Sequence, residues 1–151
     1  MKTTLLWLLM AGTLPVAAQN TCSYAIEVLD GQTISTTHST AETDVWYKFT
    51  PSSHVRVTIS RVELTSLETY VLIYTDCGTI NYIAFNDKIS NPEYSHLTFE
   101  GKAGVTYYIR WDYNSTLLGQ TYKWNLSTRD PVPGDFCSIA LDASEGNNQC
   151  I

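Results

Sequence analysis

The stretch Asp44–Thr50, followed by Pro51, constrains the fold of this chain more than any other. It has the sequence DVWYKFT, which is the densest group of β-forming residues after the first 18 positions. β-Branched and aromatic side chains pack well on a pleated, half-buried surface, and a proline cannot continue the hydrogen-bond ladder of a sheet. The run therefore predicts a strand onto which the following strands pack.

An alternation of apolar and polar residues with a period of two recurs after this strand. In His54–Arg61 the apolar Val55, Val57 and Ile59 fall on one face, as in a strand with one buried side. Further β-rich segments, separated by turn residues, are Cys22–Leu29, Thr69–Thr75, Thr79–Phe85, His96–Glu100, Val105–Tyr113 and Gln120–Thr128. About eight short strands without a helical period predict an all-β fold, a two-sheet antiparallel β-sandwich of jelly-roll-like type. A closed barrel is the alternative.

The composition narrows the classes of partner. Only 16% of the residues are charged, below the roughly 25% of an average soluble domain, and the formal net charge is -6. An acidic chain without a basic cluster is a poor ligand for phosphates, so we expect no nucleic acid partner.

The first 18 residues have the layout of a cleaved signal peptide. Lys2 is followed by the apolar stretch Leu5–Leu14 and by the small residues Val16–Ala18. This stretch is shorter than the roughly 20 residues of a membrane span, so we expect export and no membrane insertion. The mature chain would be secreted or held at the cell surface.

The C-terminal part repeats the beginning of the mature chain. Cys137–Gly146 aligns without gaps with Cys22–Gly31, 115 residues earlier, and a polar, proline-containing stretch precedes it. Self-similarity of this kind is typical of tandem modules. We therefore predict a β-sandwich module at 19–129, a linker at 130–136 and the truncated start of a second module at 137–151. The chain would then belong to a larger tandem protein with covalently linked neighbouring modules.

Several runs together resemble a known family. They are Asn20-x-Cys22-x-x-Ala25-Ile26-x-Val28, Asp44–Thr50, Tyr74–Gly78, Asn86-Asp87 and Ala103–Arg110. This set resembles the bacterial pre-peptidase C-terminal-like modules, β-sandwich domains of secreted peptidases and of large surface proteins of Bacteroidota. The resemblance covers about residues 20–128 and implies a non-catalytic accessory role, so it carries over no catalytic residues.

The same resemblance suggests how the four cysteines pair. Related modules often have a second cysteine where this chain has Phe85, and some have one where it has Ser35. Cys22 and Cys77 thus lack their local partners, which implies a Cys22–Cys77 bond and a Cys137–Cys150 bond. Disulfides suit an exported chain, and without a CxxC pair a zinc site is not expected.

The aromatic residues offer a candidate binding site. Trp46 has the opposite parity from its apolar neighbours in the strand, and Tyr113 borders a loop, so both are candidates for stacking on a sugar. Filling of the core is the commoner role of such rings. An extracellular glycan or protein is the expected partner.

Carboxylates at strand ends offer a candidate metal site. Asp44 and Asp87 could contribute oxygen ligands to Ca²⁺, although no DxDxDG-type run is present and turn carboxylates more often serve as caps. We otherwise expect no cofactor. The three histidines are scattered and no G-x-S-x-G motif occurs, so we expect no enzyme activity.

Three functions remain open. The first is a spacer, adhesion or binding module of a larger extracellular protein. The second is a carbohydrate-binding module, and the third is the appendage of a secreted peptidase whose catalytic domain lies outside this sequence.

Overall fold

The computed structural model describes residues 21–38, 44–62, 69–78, 81–86, 96–112 and 118–136. Within these ranges the chain forms nine strands and one short 3-10 turn, at Cys22–Tyr24. The strands are β1 (Ile26–Glu27), β2 (Thr33–Thr37), β3 (Val45–Phe49), β4 (Val55–Arg61), β5 (Tyr70–Tyr74), β6 (Ala84–Asn86), β7 (His96–Gly101), β8 (Tyr107–Asp112) and β9 (Thr121–Arg129).

The strands form two sheets. The five-stranded sheet has the order β1-β3-β8-β5-β6, and the four-stranded sheet has the order β2-β9-β4-β7. Only the pair of β1 and β3 is parallel among the strand pairs of these described elements. The predicted antiparallel β-sandwich is therefore confirmed, with nine strands instead of about eight.

The core lies between the inner faces of the two sheets. Alternate residues of each long strand point inward, and Val57, Ile59, Ile109 and Leu126 are fully buried. Trp111 of the five-stranded sheet meets Trp124 of the four-stranded sheet, with ring centroids 5.4 Å apart. Each aromatic side chain buries a large apolar area, so these rings contribute much of the stability of the core.

The first predicted strand differs most from the structure. Residues 22–29 were expected to be extended, whereas Cys22–Tyr24 form a 3-10 turn and only Ile26–Glu27 pair with β3. The reason is tertiary, because Cys22 is buried and bonded to Cys77, with their Cα atoms 5.4 Å apart. The chain must turn towards the end of β5 to make this bond, which is the predicted Cys22–Cys77 pairing.

The predicted strand at Thr79–Phe85 is also shorter in the structure. Strand pairing here is limited to Ala84–Asn86, and Asn81–Ile83 precede it without strand structure. Residues 79–80 lie outside the described ranges. The strands at Val55–Arg61 and Thr121–Arg129 match their predictions to within one residue.

The polar segment after β9 folds back onto the four-stranded sheet. Asp135 pairs with Arg56 of β4 and with Arg129 of β9, and its carboxylate accepts a hydrogen bond from the Val132 N–H at 3.0 Å. Gly134 has a φ of 89°, which a side chain would disfavour in this turn. Residues 132–136 are thus attached to the sandwich. No helix in the described part of the chain is long and apolar enough to cross a membrane.

Candidate functional site

One cross-strand row on the outer face of the five-stranded sheet combines rings with a cation. Trp46 of β3 lies opposite Arg110 of β8, which lies opposite Leu72 of β5, which in turn lies opposite Phe85 of β6. We call these four residues the central row. Phe85 is 53% exposed and the other three are half-buried. Directly paired residues share one face of a sheet, so the row presents two rings separated by a guanidinium and an aliphatic side chain.

Further rings flank the central row. Tyr108 and Tyr74 pair across β8 and β5 on one side of it, and Tyr70 pairs with Asp112 on the other. The ring of Trp46 lies 5.4 Å from that of Tyr74, centroid to centroid. Tyr74 is thereby almost fully covered although it points away from the core, so Trp46 rests on a packed support.

Arg110 organises the polar contacts of this face. Its Nη2 donates to Asp112 Oδ1 at 2.8 Å, its Nε lies 3.1 Å from Asp44 Oδ2, and its Nη1 lies 3.4 Å from the Tyr74 hydroxyl. The guanidinium carbon is also 5.8 Å from the centre of the Trp46 ring. Burial opposes the charge of Arg110, but the hydrogen bond with Asp112 and the charge of Asp44 outweigh it and raise the pKa of the guanidinium. The cation is therefore permanently charged and held in place.

The outer face of the four-stranded sheet has a different character. Its outward residues are hydroxylic, amide or charged, among them Thr33, Ser35, Thr58, Ser60, Lys123, Asn125 and Ser127. Ser60 donates to Asn125 at 2.7 Å, a pairing within the sheet surface. A solvated face of this kind is ordinary for an antiparallel sheet, so the aromatic face is the one that needs an explanation.

The structure places some of the predicted site residues and not others. Trp46 lies on the aromatic face, as its parity predicted. Asp44 lies beside it in an ion pair with Arg110. Tyr113, Asp87, Cys137 and Cys150 lie outside the described residues. Among the residues that are described, no group of three or more His, Cys, Asp or Glu side chains is arranged to hold a metal ion.

Two residues of the face were missed by sequence reasoning. The sequence marks Phe85 as the end of a predicted strand and as a position where related modules carry a cysteine. It marks Arg110 as part of a family run. Their shared row with Trp46 depends on the register between strands that are far apart in sequence. The parity of Arg110, opposite to that of Ile109 and Trp111, was the one signal in the sequence that placed it outward.

The two histidines with described side chains contact a carboxylate and a phenol. His54 Nε2 lies 2.8 Å from Glu100 Oε1 at the surface. His38 is fully buried, with Nε2 3.1 Å from the Tyr122 hydroxyl. These contacts are with a carboxylate and a phenol, and Cys22 and Cys77 are joined in the disulfide.

A concave surface, separate from the central row, lies where the edge strands β6 and β7 of the two sheets approach each other. It is an open groove of about 590 Å³ lined by apolar residues such as Ala84, Phe99 and Val105, with Asp135 and Phe136 at its border. Phe136 also packs against His54, with ring centroids 6.5 Å apart. The attached segment thus forms part of this wall.

Comparison with known proteins supports the fold. The chain is similar to the pre-peptidase C-terminal domain of collagenase from Bacillus anthracis, solved at 1.0 Å, with a TM-score of 0.53 and 18% sequence identity. The similarity covers 70% of this chain and 94% of that domain. No family model matches the chain, and no curated protein matches it. At this identity the likeness establishes a shared β-sandwich fold.

Proposed function

We propose that this chain is a non-catalytic accessory module of a larger extracellular protein, and that it binds its target through the outer face of the five-stranded sheet. The observation that carries the proposal is the aromatic central row with its fixed cation, on one face of a sandwich whose other face is polar. Exposed aromatic residues around a few placed polar groups are typical of binding surfaces.

The accessory role is supported by the way the interior is used. The space between the sheets is filled by rings and branched aliphatic side chains, including the fully buried Trp111, Tyr122 and Trp124. The similar solved domain is, by its description, the pre-peptidase C-terminal domain of a collagenase. Function lies in sites and not in folds, so this likeness raises the appendage interpretation without assigning a substrate.

The proposed context is export and a tandem arrangement. The signal-peptide layout of residues 1–18 and the repeat of Cys22–Gly31 at Cys137–Gly146 support it. The family runs favour the type of module found on large surface proteins of Bacteroidota. The partner would be an extracellular glycan or protein, with neighbouring modules covalently linked.

The experiment compares target binding by the wild-type chain with binding by a Trp46→Ala variant. Labelled protein is incubated with intact cells, extracellular matrix and a glycan array, and a peptidase assay with casein and gelatin is run in parallel. We expect binding that weakens in Trp46→Ala, no change in the matched Ser35→Ala variant of the polar face, and no hydrolysis. Hydrolysis by the purified chain, or equal binding by both variants and wild type, would contradict the proposal.

The peptidase-appendage alternative is favoured by the collagenase domain alone. Its test is the size and activity of the native protein, isolated with an antibody against residues 44–62. A high-molecular-weight species that hydrolyses protein would support it, and a species without peptidase activity would favour the spacer or adhesion role.

A further inference from the structure

We propose that the central row is a binding site for a neutral, extended glycan, with sugar rings stacking on Trp46 and on Phe85 and with Arg110 between them. This inference rests on the proposed function of the outer face and names the ligand class and a second stacking residue. The distance between the two rings limits the size of the ligand. Strands of a sheet lie about 4.8 Å apart, so three strand spacings place Trp46 and Phe85 roughly 14 Å apart across the sheet.

This separation decides the size of the ligand. A single sugar ring cannot contact both aromatic side chains, whereas an extended oligosaccharide lying across the strands can stack one unit on each. The two rings are supported differently, because Trp46 packs on Tyr74 while Phe85 packs against Tyr82, with ring centroids 4.9 Å apart. Trp46 is therefore held by a buried neighbour before a ligand arrives, which reduces the ordering cost of binding, whereas Phe85 contacts an exposed ring.

The polar groups between the rings suit hydroxyl groups. Arg110 has five N–H donors, of which one binds Asp112 and one contacts the Tyr74 hydroxyl, while Nε is held near Asp44 by charge alone. The side chain of Asp112 is 34% exposed and that of Asp44 is 19% exposed, so both carboxylates border the solvent beside Arg110. A sugar presents vicinal hydroxyls that donate and accept, which matches this alternation of donors and acceptors.

The charge distribution selects a neutral ligand over an anionic one. The single positive charge of Arg110 lies between two carboxylates, and the chain as a whole has a net charge of -6. An acidic polysaccharide would meet repulsion from Asp44 and Asp112, and Lys48, a second cation of this face, lies outside the row and opposite Glu27. A neutral chain meets no such repulsion, and its hydroxyls can replace part of the water around these charges.

A protein partner fits these observations less well. Arg110, in the middle of the row, forms a charged group with Asp44 and Asp112 beside the row. A glycan would keep this group hydrated, whereas a protein would dehydrate it, which is costly. Cores of protein interfaces are accordingly poor in charged residues. The experiment below distinguishes a protein ligand from a glycan.

The experiment measures binding of the full chain to insoluble cellulose and chitin, to neutral oligosaccharides of increasing length, and to alginate as the acidic probe. We expect binding to at least one neutral polysaccharide and about tenfold weaker binding in Trp46→Ala and in Phe85→Ala. Leu29→Ala, which shortens a side chain that is 65% exposed outside the face, is the matched control and should bind like the wild type. Phe85 is exposed, so its variant should retain the melting temperature of the wild type.

Chain length separates the two stacking residues. Phe85→Ala should weaken binding of long oligosaccharides and leave the shortest bound ones unaffected, whereas Trp46→Ala should weaken both. Loss of binding in Trp46→Ala alone would overturn the role of Phe85 and leave the proposed function intact. Equal affinity for alginate, or binding of a protein and of no glycan, would overturn the neutral-glycan inference. Absence of any Trp46-dependent ligand would overturn the proposed function as well.

Discussion

The hydroxyl of Thr36 lies between two core rings and supplies both with a hydrogen-bond partner. Trp124 Nε1 donates to Thr36 Oγ1 at 2.8 Å, and the Tyr47 hydroxyl lies 2.7 Å from the same oxygen. Burial raises the pKa of Tyr47, although its side-chain hydrogen bonds act in the opposite direction. The phenol is therefore neutral over the ordinary pH range, and Thr36 supplies one of its hydrogen bonds.

We expect Thr36→Val to destabilise the fold by about 2 kcal/mol. Valine keeps the shape of threonine but leaves a buried indole N–H and a buried phenol without this partner, and each such group costs roughly 1–3 kcal/mol. Urea unfolding followed by tryptophan fluorescence measures the change. Thr33→Val, at an exposed position of the same strand, is the control and should change the stability by less than about 0.5 kcal/mol. Equal stabilities of the two variants would contradict this role.

Asp135 makes the stability depend on pH in the acid range. Hydrogen bonds from Arg129 and from the Val132 backbone, together with Arg56, lower the pKa of its carboxyl from 3.8 to about 2. A carboxyl with a lowered pKa stabilises the folded state above its ordinary pKa, and this contribution is lost as the pH falls towards the lowered value. The relevant window is therefore between pH 4 and pH 2.

We expect the difference in melting temperature between wild type and Asp135→Asn to be full above pH 4 and to shrink as the pH falls to 2. Circular dichroism melts at half-unit pH intervals measure it. Asp130→Asn removes the same charge from the same segment without removing the carboxylate contacts of Asp135, and it serves as the control. A difference that stays constant across this window would show that the Asp135 contacts do not carry the effect.

At the scale of strands, the elements that depend on neighbouring residues could be predicted, and those that depend on residues distant in sequence could not. Val55–Arg61 could be predicted because its alternating pattern depends only on residues within the strand. Residues 22–25 could not, because Cys22 is drawn out of an extended path by a bond to a residue 55 positions away. The outward position of Trp46 followed from parity, whereas its alignment with Phe85 depends on three strand registers that no local pattern encodes.

The disulfide joins two elements of the five-stranded sheet that share no hydrogen bonds. Cys22 precedes the edge strand β1 and Cys77 follows β5, which is separated from β1 by two strands. Closing a loop of this length stabilises a protein by about 4 kcal/mol in the chain-entropy model. Reduction should thus lower the unfolding free energy by that order.

The test uses a chain carrying Cys137→Ser and Cys150→Ser, so that only the Cys22–Cys77 bond can be reduced. Urea unfolding is compared with and without a reducing agent, and we expect a lower midpoint after reduction. The variant that also carries Cys22→Ser and Cys77→Ser should not respond to the reducing agent. A midpoint that does not change on reduction would show that packing alone fixes the first turn.

In the described parts of the molecule, the two outer faces of the sandwich carry different groups of residues. The face of the five-stranded sheet carries the central row, whereas the polar face of the four-stranded sheet receives the returning segment 130–136 through Arg56 and Arg129. Exposed ion pairs are usually worth little, but this carboxylate is only 7% exposed and binds two arginines and a backbone N–H. Residues 132–136 therefore contact the sandwich, and the predicted linker at 130–136 stays a prediction.

Truncation measures whether these contacts extend the stable module beyond Arg129. We compare chains that begin at residue 19 and end either at Arg129 or at Phe136. The longer chain should melt several degrees higher, because it alone keeps the Asp135 contacts and the packing of Phe136 against His54. A third chain that ends at Phe136 and carries Asp135→Asn and Phe136→Ala controls for length and should melt like the shorter one. Equal melting temperatures for all three would show that residues 130–136 add nothing to the stability of the module. Equal glycan binding by all three is expected, because the central row lies on the other sheet.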